Sequence, residues 1–193
     1  MTILDRIVRA VHGREARPAS PAWNVTKTLL QTVVFWSVFL FLVPQLILLI
    51  EDRVGANGSR FASPLWRTIG VALFIVGGSF GLTSGVVMAW RGQGTPLPAD
   101  CPRALVVAGP YRYVRNPMAF AGLSQGAAVG LFVGSASIVA YAILGGIIWH
   151  FFVRPWEEAD LEARFGEPYR LYRAAVRCWI PRLRPYIPGS DIR

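Results

Sequence analysis

The sequence predicts an all-α integral membrane bundle of about four transmembrane helices, closed by a C-terminal cytoplasmic helical cap. Three observations predict it. Apolar residues make up 53% of the 193 residues, mean hydropathy is +0.41, and only 16% are charged, against about 25% in soluble domains. The apolar residues gather into uncharged runs long enough for a hydrocarbon core of about 30 Å. The 20 basic residues, 19 of them Arg with Lys27 the single lysine, lie almost entirely between those runs. The first observation argues against disorder and a cytosolic globule. The third reads the net charge of +9 as anchoring at an anionic membrane face rather than nucleic-acid binding.

The first run, residues 28–50, carries no charge and includes Pro44, which a membrane helix tolerates as a kink. The second, residues 65–90, is rich in small residues. Gly77, Gly81 and Gly85 recur every four positions and so share a helix face, the pattern of close helix packing. Residues 118–153 contain no acid or base, and His150 is their one near-neutral titratable side chain. They are too long for one span and suit a hairpin of two, broken at the small-residue cluster Gly134, Ser135 and Ser137.

Charge orients the bundle. Residues 1–27 hold Arg6, Arg9, Arg14, Arg17 and Lys27. The segment after the second run holds Arg91, Arg103, Arg112 and Arg115, and the tail from Arg154 holds eight arginines. These regions contain 17 of the 20 basic residues. The positive-inside rule places both termini and residues 91–117 in the cytoplasm. The N-terminus lacks the form of a cleavable signal. Cys101 and Cys178 match neither a disulfide framework nor a zinc spacing, and no metal site is expected. The chain divides into a cytoplasmic segment (1–27), two spans (28–90), and a core (91–193) containing the hairpin and cap.

Three polar segments fall on the inferred cytoplasmic side. Residues 91–96 (Arg-Gly-Gln-Gly-Thr-Pro) permit a tight turn through Gly92 and Gly94. Residues 109–117 (Gly-Pro-Tyr-Arg-Tyr-Val-Arg-Asn-Pro) lead into the third span. Asn116 suits its N-cap and Pro117 its first turn, whereas Tyr111, Tyr113 and Arg115 serve equally as interface anchors or binding groups. Glu157 and Glu158 follow the fourth span; paired acids at a bilayer edge are costly unless satisfied, although acids also favour a helix start. Beyond them, Leu161, Phe165, Tyr169, Tyr172 and Val176 form a stripe at helical spacing, read as a cap lying on the membrane surface.

Taken in order, these segments resemble the isoprenylcysteine carboxyl methyltransferase and phospholipid methyltransferase group. The resemblance covers roughly residues 92–181. It rests on Gly-Gln-Gly-Thr-Pro at 92–96, Gly-Pro-Tyr-Arg-Tyr-Val-Arg-Asn-Pro-Met at 109–118, Glu157-Glu158, Phe165-Gly166 with Tyr169 and Tyr172, and Trp179-Ile180-Pro181-Arg182. It implies an integral membrane enzyme, expected in a bacterial inner membrane, that uses S-adenosylmethionine to methylate a lipophilic acceptor. It also implies that Gly92, Gly94, Tyr113, Arg115, Asn116, Pro117, Glu157 and Glu158 bind the donor, with Arg115 and Glu158 catalytic. Asn116 stands where the family often has His, and Ala119 where it usually has Tyr, which points to an altered acceptor side. The sequence leaves open the acceptor, the oligomeric state and two other readings: a membrane reductase using a nicotinamide cofactor, and a non-enzymatic scaffold. Against a transporter, the spans carry almost no polar residues to line a path.

Overall fold

The computed structural model describes residues 15–55, 60, 61, 63–97 and 100–189. Arg6, Arg9, Arg14 and Arg193 therefore lie outside the described residues. Helix α1 (Pro21–Val54) is followed by α2 (Pro64–Gly92), α3 (Pro117–Val133), α4 (Ala136–Phe165) and α5 (Glu167–Ala175), with a 3-10 turn at Gly109–Arg112. Among the described residues the only β pairing is two isolated bridges. α1, α2 and α4 are long and apolar enough to cross a membrane, and α3 is shorter, at 17 residues. At 1.5 Å per residue α3 spans about 25 Å. The expected four spans thus resolve into three of full length and one short apolar helix.

The expected hairpin break is where α3 ends. Gly134 closes α3 in the left-handed conformation (φ 73°), and Ser135 caps α4 by accepting from the Ile138 amide at 3.2 Å. A side chain at Gly134 would collide with the Phe61 carbonyl, whose own amide donates to Gly134 O at 2.7 Å. Glu51 seals this end: it accepts from Ser135 Oγ at 2.9 Å and from Arg60 Nε at 3.2 Å.

α2 is the centre of the bundle, with α1 and α3 packed on it and α4 packed on α3. The small-residue face predicted from the sequence makes the α2–α3 seam. A Cβ at Gly70 would stand 2.8 Å from Ala128 O, one at Gly77 3.2 Å from Gln125 Cγ, and one at Gly81 3.0 Å from Ala121 Cβ. Gly85 of the same face instead receives Thr28 of α1 and Met118.

Two prolines shape the long helices in the same way. The turns at Trp36–Leu42 and Trp149–Val153 are π-helical, and Pro44 and Pro155 each follow two residues after such a turn. A proline cannot donate to the carbonyl four residues back, and its ring crowds that carbonyl. The wider turn relieves the crowding: the Val43 amide reaches back five residues to Val38 O, and Arg154 to Trp149 O.

The cap differs from expectation. The apolar stripe of Leu161, Phe165, Tyr169, Tyr172 and Val176 packs against protein. Tyr169, Tyr172 and Val176 are almost wholly buried with Tyr186, against Leu105 and Val107 of the preceding loop. Gly166 splits the stripe between α4 and α5, so its apolar face closes over protein. The tail beyond α5 then runs alongside residues 112–115. The Tyr186 amide donates to Arg112 O, Arg182 to Tyr113 O, and Arg115 to Arg177 O, all at 2.8–3.0 Å.

Gly70→Val is expected to destabilise the protein in detergent by about 1–3 kcal/mol through overpacking of the α2–α3 seam. Gly122→Ala, whose new Cβ meets nothing within 4 Å, should be neutral or stabilising by up to about 1 kcal/mol. Thermal unfolding of both variants checks the seam.

Candidate functional site

The site begins at the N-terminus of α3. Asn116 is the N-cap, its Oδ1 accepting from the Ala119 amide at 3.2 Å. Its other amide atom, Nδ2, donates to Glu157 Oε2 at 3.1 Å. One side chain therefore caps α3 and ties it to the extension of α4 beyond the apolar part of that helix, which ends at Val153. An Asp would cap equally well but would set a third carboxylate against Glu157 and Glu158; an amide donates to a carboxylate instead.

Arg115 and Glu158 make the second link. Arg115 Nη2 lies 3.0 Å from Glu158 Oε1, with Arg154 Nη1 3.7 Å from the same oxygen. The Arg115 and Glu158 side chains are only 11% and 18% exposed. Adjacent residues on a helix point in different directions, so Glu157 takes the amide and Glu158 the two arginines. The Arg115 backbone is fixed separately by its bond to Arg177 O. Its Nε and Nη1 are buried without a partner among the described residues. The guanidinium thus keeps donors beyond the one that meets Glu158.

Gly92 and Gly94 act through the loop. The Arg103 and Ala104 amides both donate to Gly92 O, and the Thr95 amide donates to Asp100 O. A Cβ at Gly94 would stand 2.6 Å from Cys101 O. The glycines thus let residues 92–96 fold back on 100–104. Lys27 of α1 holds Asp100 at 2.5 Å, and Arg164 donates to Pro102 O.

These elements enclose a cavity of about 670 Å³. Arg115, Asn116, Glu157 and Glu158 line it together. Gly92, Gly94, Tyr113 and Pro117 do not. Gly92 and Gly94 stand behind the loop whose Pro96, Leu97 and Pro102 face the cavity; Pro117 is buried in the first turn of α3, and Tyr113 is 38% exposed. The tyrosines that do line it are Tyr111, Tyr141, Tyr169 and Tyr172. Tyr172 is locked by donating to Tyr111 O at 2.6 Å. Sequence reasoning placed Tyr169 and Tyr172 on the cap stripe. Their role as cavity wall depends on the fold-back of α5, which no local pattern announces.

The cavity also runs away from the polar mouth between α1 and α4. On α1 it is lined by Thr28, Gln31, Thr32, Phe35, Trp36, Phe39 and Leu40, a stripe at helical spacing that faces a space rather than a helix. Gln125 on α3 joins them. Three polar residues of α1 and one of α3 are thus among its lining.

Burial raises the Glu157 pKa from 4.5 to about 7; the Asn116 donor opposes the rise, and neighbouring Glu158 and Asp160 add to it. Burial likewise pushes Tyr111, Tyr169 and Tyr172 well above the usual phenol value, so all three are neutral near pH 7. Cys178 is also raised by burial, with Arg115 opposing. Among the described residues no group of His, Cys, Asp and Glu is placed to hold a metal ion.

Glu157 keeps its proton in the folded chain where the unfolded chain has lost it. Its contribution to stability therefore falls as pH rises from about 4.5 to about 7 and is constant above. Thermal unfolding followed across that window should show the fall, and Glu157→Gln should flatten it.

Comparison with known proteins supplies the family. A family model described as phospholipid methyltransferase matches residues 65–168, from the start of α2 through the Glu157-Glu158 segment to the start of α5. No curated protein and no solved structure matches the chain. The matched span exceeds half of the 193 residues and contains every residue of the polar mouth from Arg115 to Glu158. The chain is thus an integral membrane protein, and it belongs to the phospholipid methyltransferase family.

Proposed function

We propose that this protein transfers a methyl group from S-adenosylmethionine to a lipophilic acceptor, with the reacting atoms meeting where Asn116 joins Glu157. The observation that carries the reading is Arg115. Its side chain, with Nε and Nη1 unpaired among the described residues, lines the cavity beside two carboxylates. Those donors suit the carboxylate of the methyl donor, and the carboxylates and neutral tyrosine faces suit its cationic sulfur.

The donor supplies an electrophilic methyl group: its bond to sulfur breaks as the bond to the acceptor forms, leaving a neutral thioether. The chain supplies position and a proton acceptor. Arg115, held by Glu158 and by the Arg177 carbonyl, fixes one end of the bound donor. Holding two reactants in near-attack geometry is worth about 7–11 kcal/mol. A carboxylate or thiolate acceptor is already nucleophilic. An amine acceptor must lose a proton, and Glu157 is the better placed of the two acids to take it. Its pKa of about 7 suits exchange near neutrality, whereas two arginines hold Glu158. Glu158 then acts through Arg115 as a positioning residue. Gly92, Gly94 and Pro117 shape the walls, and Tyr113 stands outside them. The basic residues at this end favour a cytoplasmic mouth with both termini on the same side, where a water-soluble donor arrives.

Calorimetry on the detergent-purified protein tests the reading. S-adenosylmethionine should bind saturably, and Arg115→Ala and Glu158→Gln should each weaken it about tenfold or more, or about 1.4 kcal/mol. NADPH should not bind. Absence of S-adenosylmethionine binding by folded protein, or binding of NADPH in its place, overturns the proposal.

A further inference from the structure

A second, smaller hollow lies on the outer face of the α3–α4 hairpin. This groove of about 320 Å³ is lined by Leu123 of α3, by Ile143, Ile147, His150 and Phe151 of α4, and by Trp179 of the tail. Of these only Leu123 also lines the larger cavity, so the groove is separate from the candidate site. Its floor is apolar. Ile143, Ile147 and Phe151 are exposed on a helix long and apolar enough to cross a membrane, so what reaches them there is lipid.

The groove has one polar end. Trp179 Nε1 donates to His150 Nδ1 at 2.8 Å. An indole nitrogen can only donate, so the imidazole accepts at Nδ1 and carries its proton on Nε2. Nε2 has no partner among the described residues and is not sealed from its surroundings. The groove therefore offers one free N–H donor where its apolar floor ends. His150 precedes Val153, the end of the apolar part of α4, by three positions, or about 4.5 Å. That depth belongs to the interfacial belt of a bilayer, where Trp is favoured.

The tail supplies charge above this donor. Arg177, two residues before Trp179, is exposed. Its carbonyl accepts from the Arg115 amide at 3.0 Å, which sets it at the level of the polar mouth. Arg184 is also exposed, just beyond the bond from the Arg182 amide to Tyr113 O. Neither side chain makes an ion pair or a hydrogen bond among the described residues. From the span outward the order is apolar floor, single N–H donor, unpaired arginines. A phospholipid has the same order: acyl chain, ester carbonyl, phosphate.

We infer that this groove binds an anionic phospholipid of the surrounding bilayer. Its acyl chain lies against Ile143 and Ile147, an ester carbonyl accepts from His150 Nε2, and its phosphate meets Arg177 and Arg184. A choline head would set a cation beside two arginines, so a net-negative head is preferred. The bound lipid holds the tail against α4, and with it the Arg177 carbonyl that fixes Arg115. The site goes beyond the methyl-transfer reading, since this lipid is held rather than turned over.

The test measures lipid retention. Delipidated protein in nonionic detergent is incubated with equal amounts of phosphatidylglycerol and phosphatidylcholine of matched chains. Lipid kept through gel filtration is measured by mass spectrometry. Phosphatidylglycerol should be retained about fivefold over phosphatidylcholine, the preference that one arginine near a charged lipid surface supplies. Arg177→Gln with Arg184→Gln should bring the ratio close to one, and Arg177→Lys with Arg184→Lys should keep it. Removing the same charge with Arg91→Gln and Arg103→Gln, at exposed positions across the mouth, should leave the ratio unchanged. Ile143→Trp fills the groove and not the cavity, so it should lower retention of both lipids. Glycerol phosphate, which has the anion without the chain, should not compete. Equal retention by wild type overturns the site. So does a preference lost as readily at Arg91 and Arg103, retention indifferent to Ile143→Trp, or displacement by glycerol phosphate. If the variants do not fold, the wild-type ratio and the glycerol phosphate competition decide. No measurement here involves S-adenosylmethionine, so the lipid site and the methyl-transfer reading stand or fall separately.

Discussion

The site depends on how two adjacent acids on one helix are satisfied at a bilayer edge. Glu157 and Glu158 emerge just beyond the apolar part of α4, where carboxylates are expensive unless something pairs with them. The partners come from the preceding hairpin: the Asn116 amide for one and the Arg115 guanidinium for the other. Removing one member of a buried pair leaves an uncompensated charge, which costs about 3–5 kcal/mol. The start of α3 and the exit of α4 are therefore fixed together, and the mouth of the cavity has a defined width.

Everything else at this end holds those partners still. The tail after α5 is a strap, bonded through its main chain to Arg112, Tyr113 and Arg115. Tyr172 and Tyr186 pack beneath it. Trp179 pins the tail to α4 by donating to His150 Nδ1 at 2.8 Å, which gives His150 a structural role. The loop from Gly92 to Arg103 closes the opposite wall and is anchored to α1 by Lys27. The mouth is thus built from four parts of the chain held by short-range polar contacts, while the spans beneath are held by apolar packing.

The fold was legible where local chemistry dictates it. Gly134 and Ser135 marked the hairpin because a left-handed residue followed by a cap has a composition of its own. The recurring glycines of α2 marked a packing face, and Asn116-Pro117 marked a helix start. What stayed hidden was set by contacts distant in sequence. The stripe from Leu161 to Val176 has the same periodicity whether it faces lipid or protein, and only the fold-back onto Leu105 and Val107 decides between them. Tyr111 and Tyr113 look alike in sequence; one ends buried in the cavity wall and the other on the surface. Pro44 announced a disturbance in α1 but not its form, a π turn that sets Trp36, Phe39 and Leu40 along the cavity.

Those π turns bear on how a lipid reaches the mouth. Both long helices that flank the cavity are widened where they line it, α1 at Trp36–Leu42 and α4 at Trp149–Val153, each just ahead of a proline. Through its π turn α1 packs on α3 and, by Trp36 against Phe74, on α2. α4 reaches across to it through Tyr141, whose hydroxyl donates to Phe39 O at 3.4 Å, and the Glu51–Ser135 contact joins the two at the sealed end. The space between them is consequently bounded by aromatic and aliphatic side chains, with protein closing the end and polar groups at the mouth. A lipid tail can occupy such a space without unpairing any backbone group, because the helices satisfy their own.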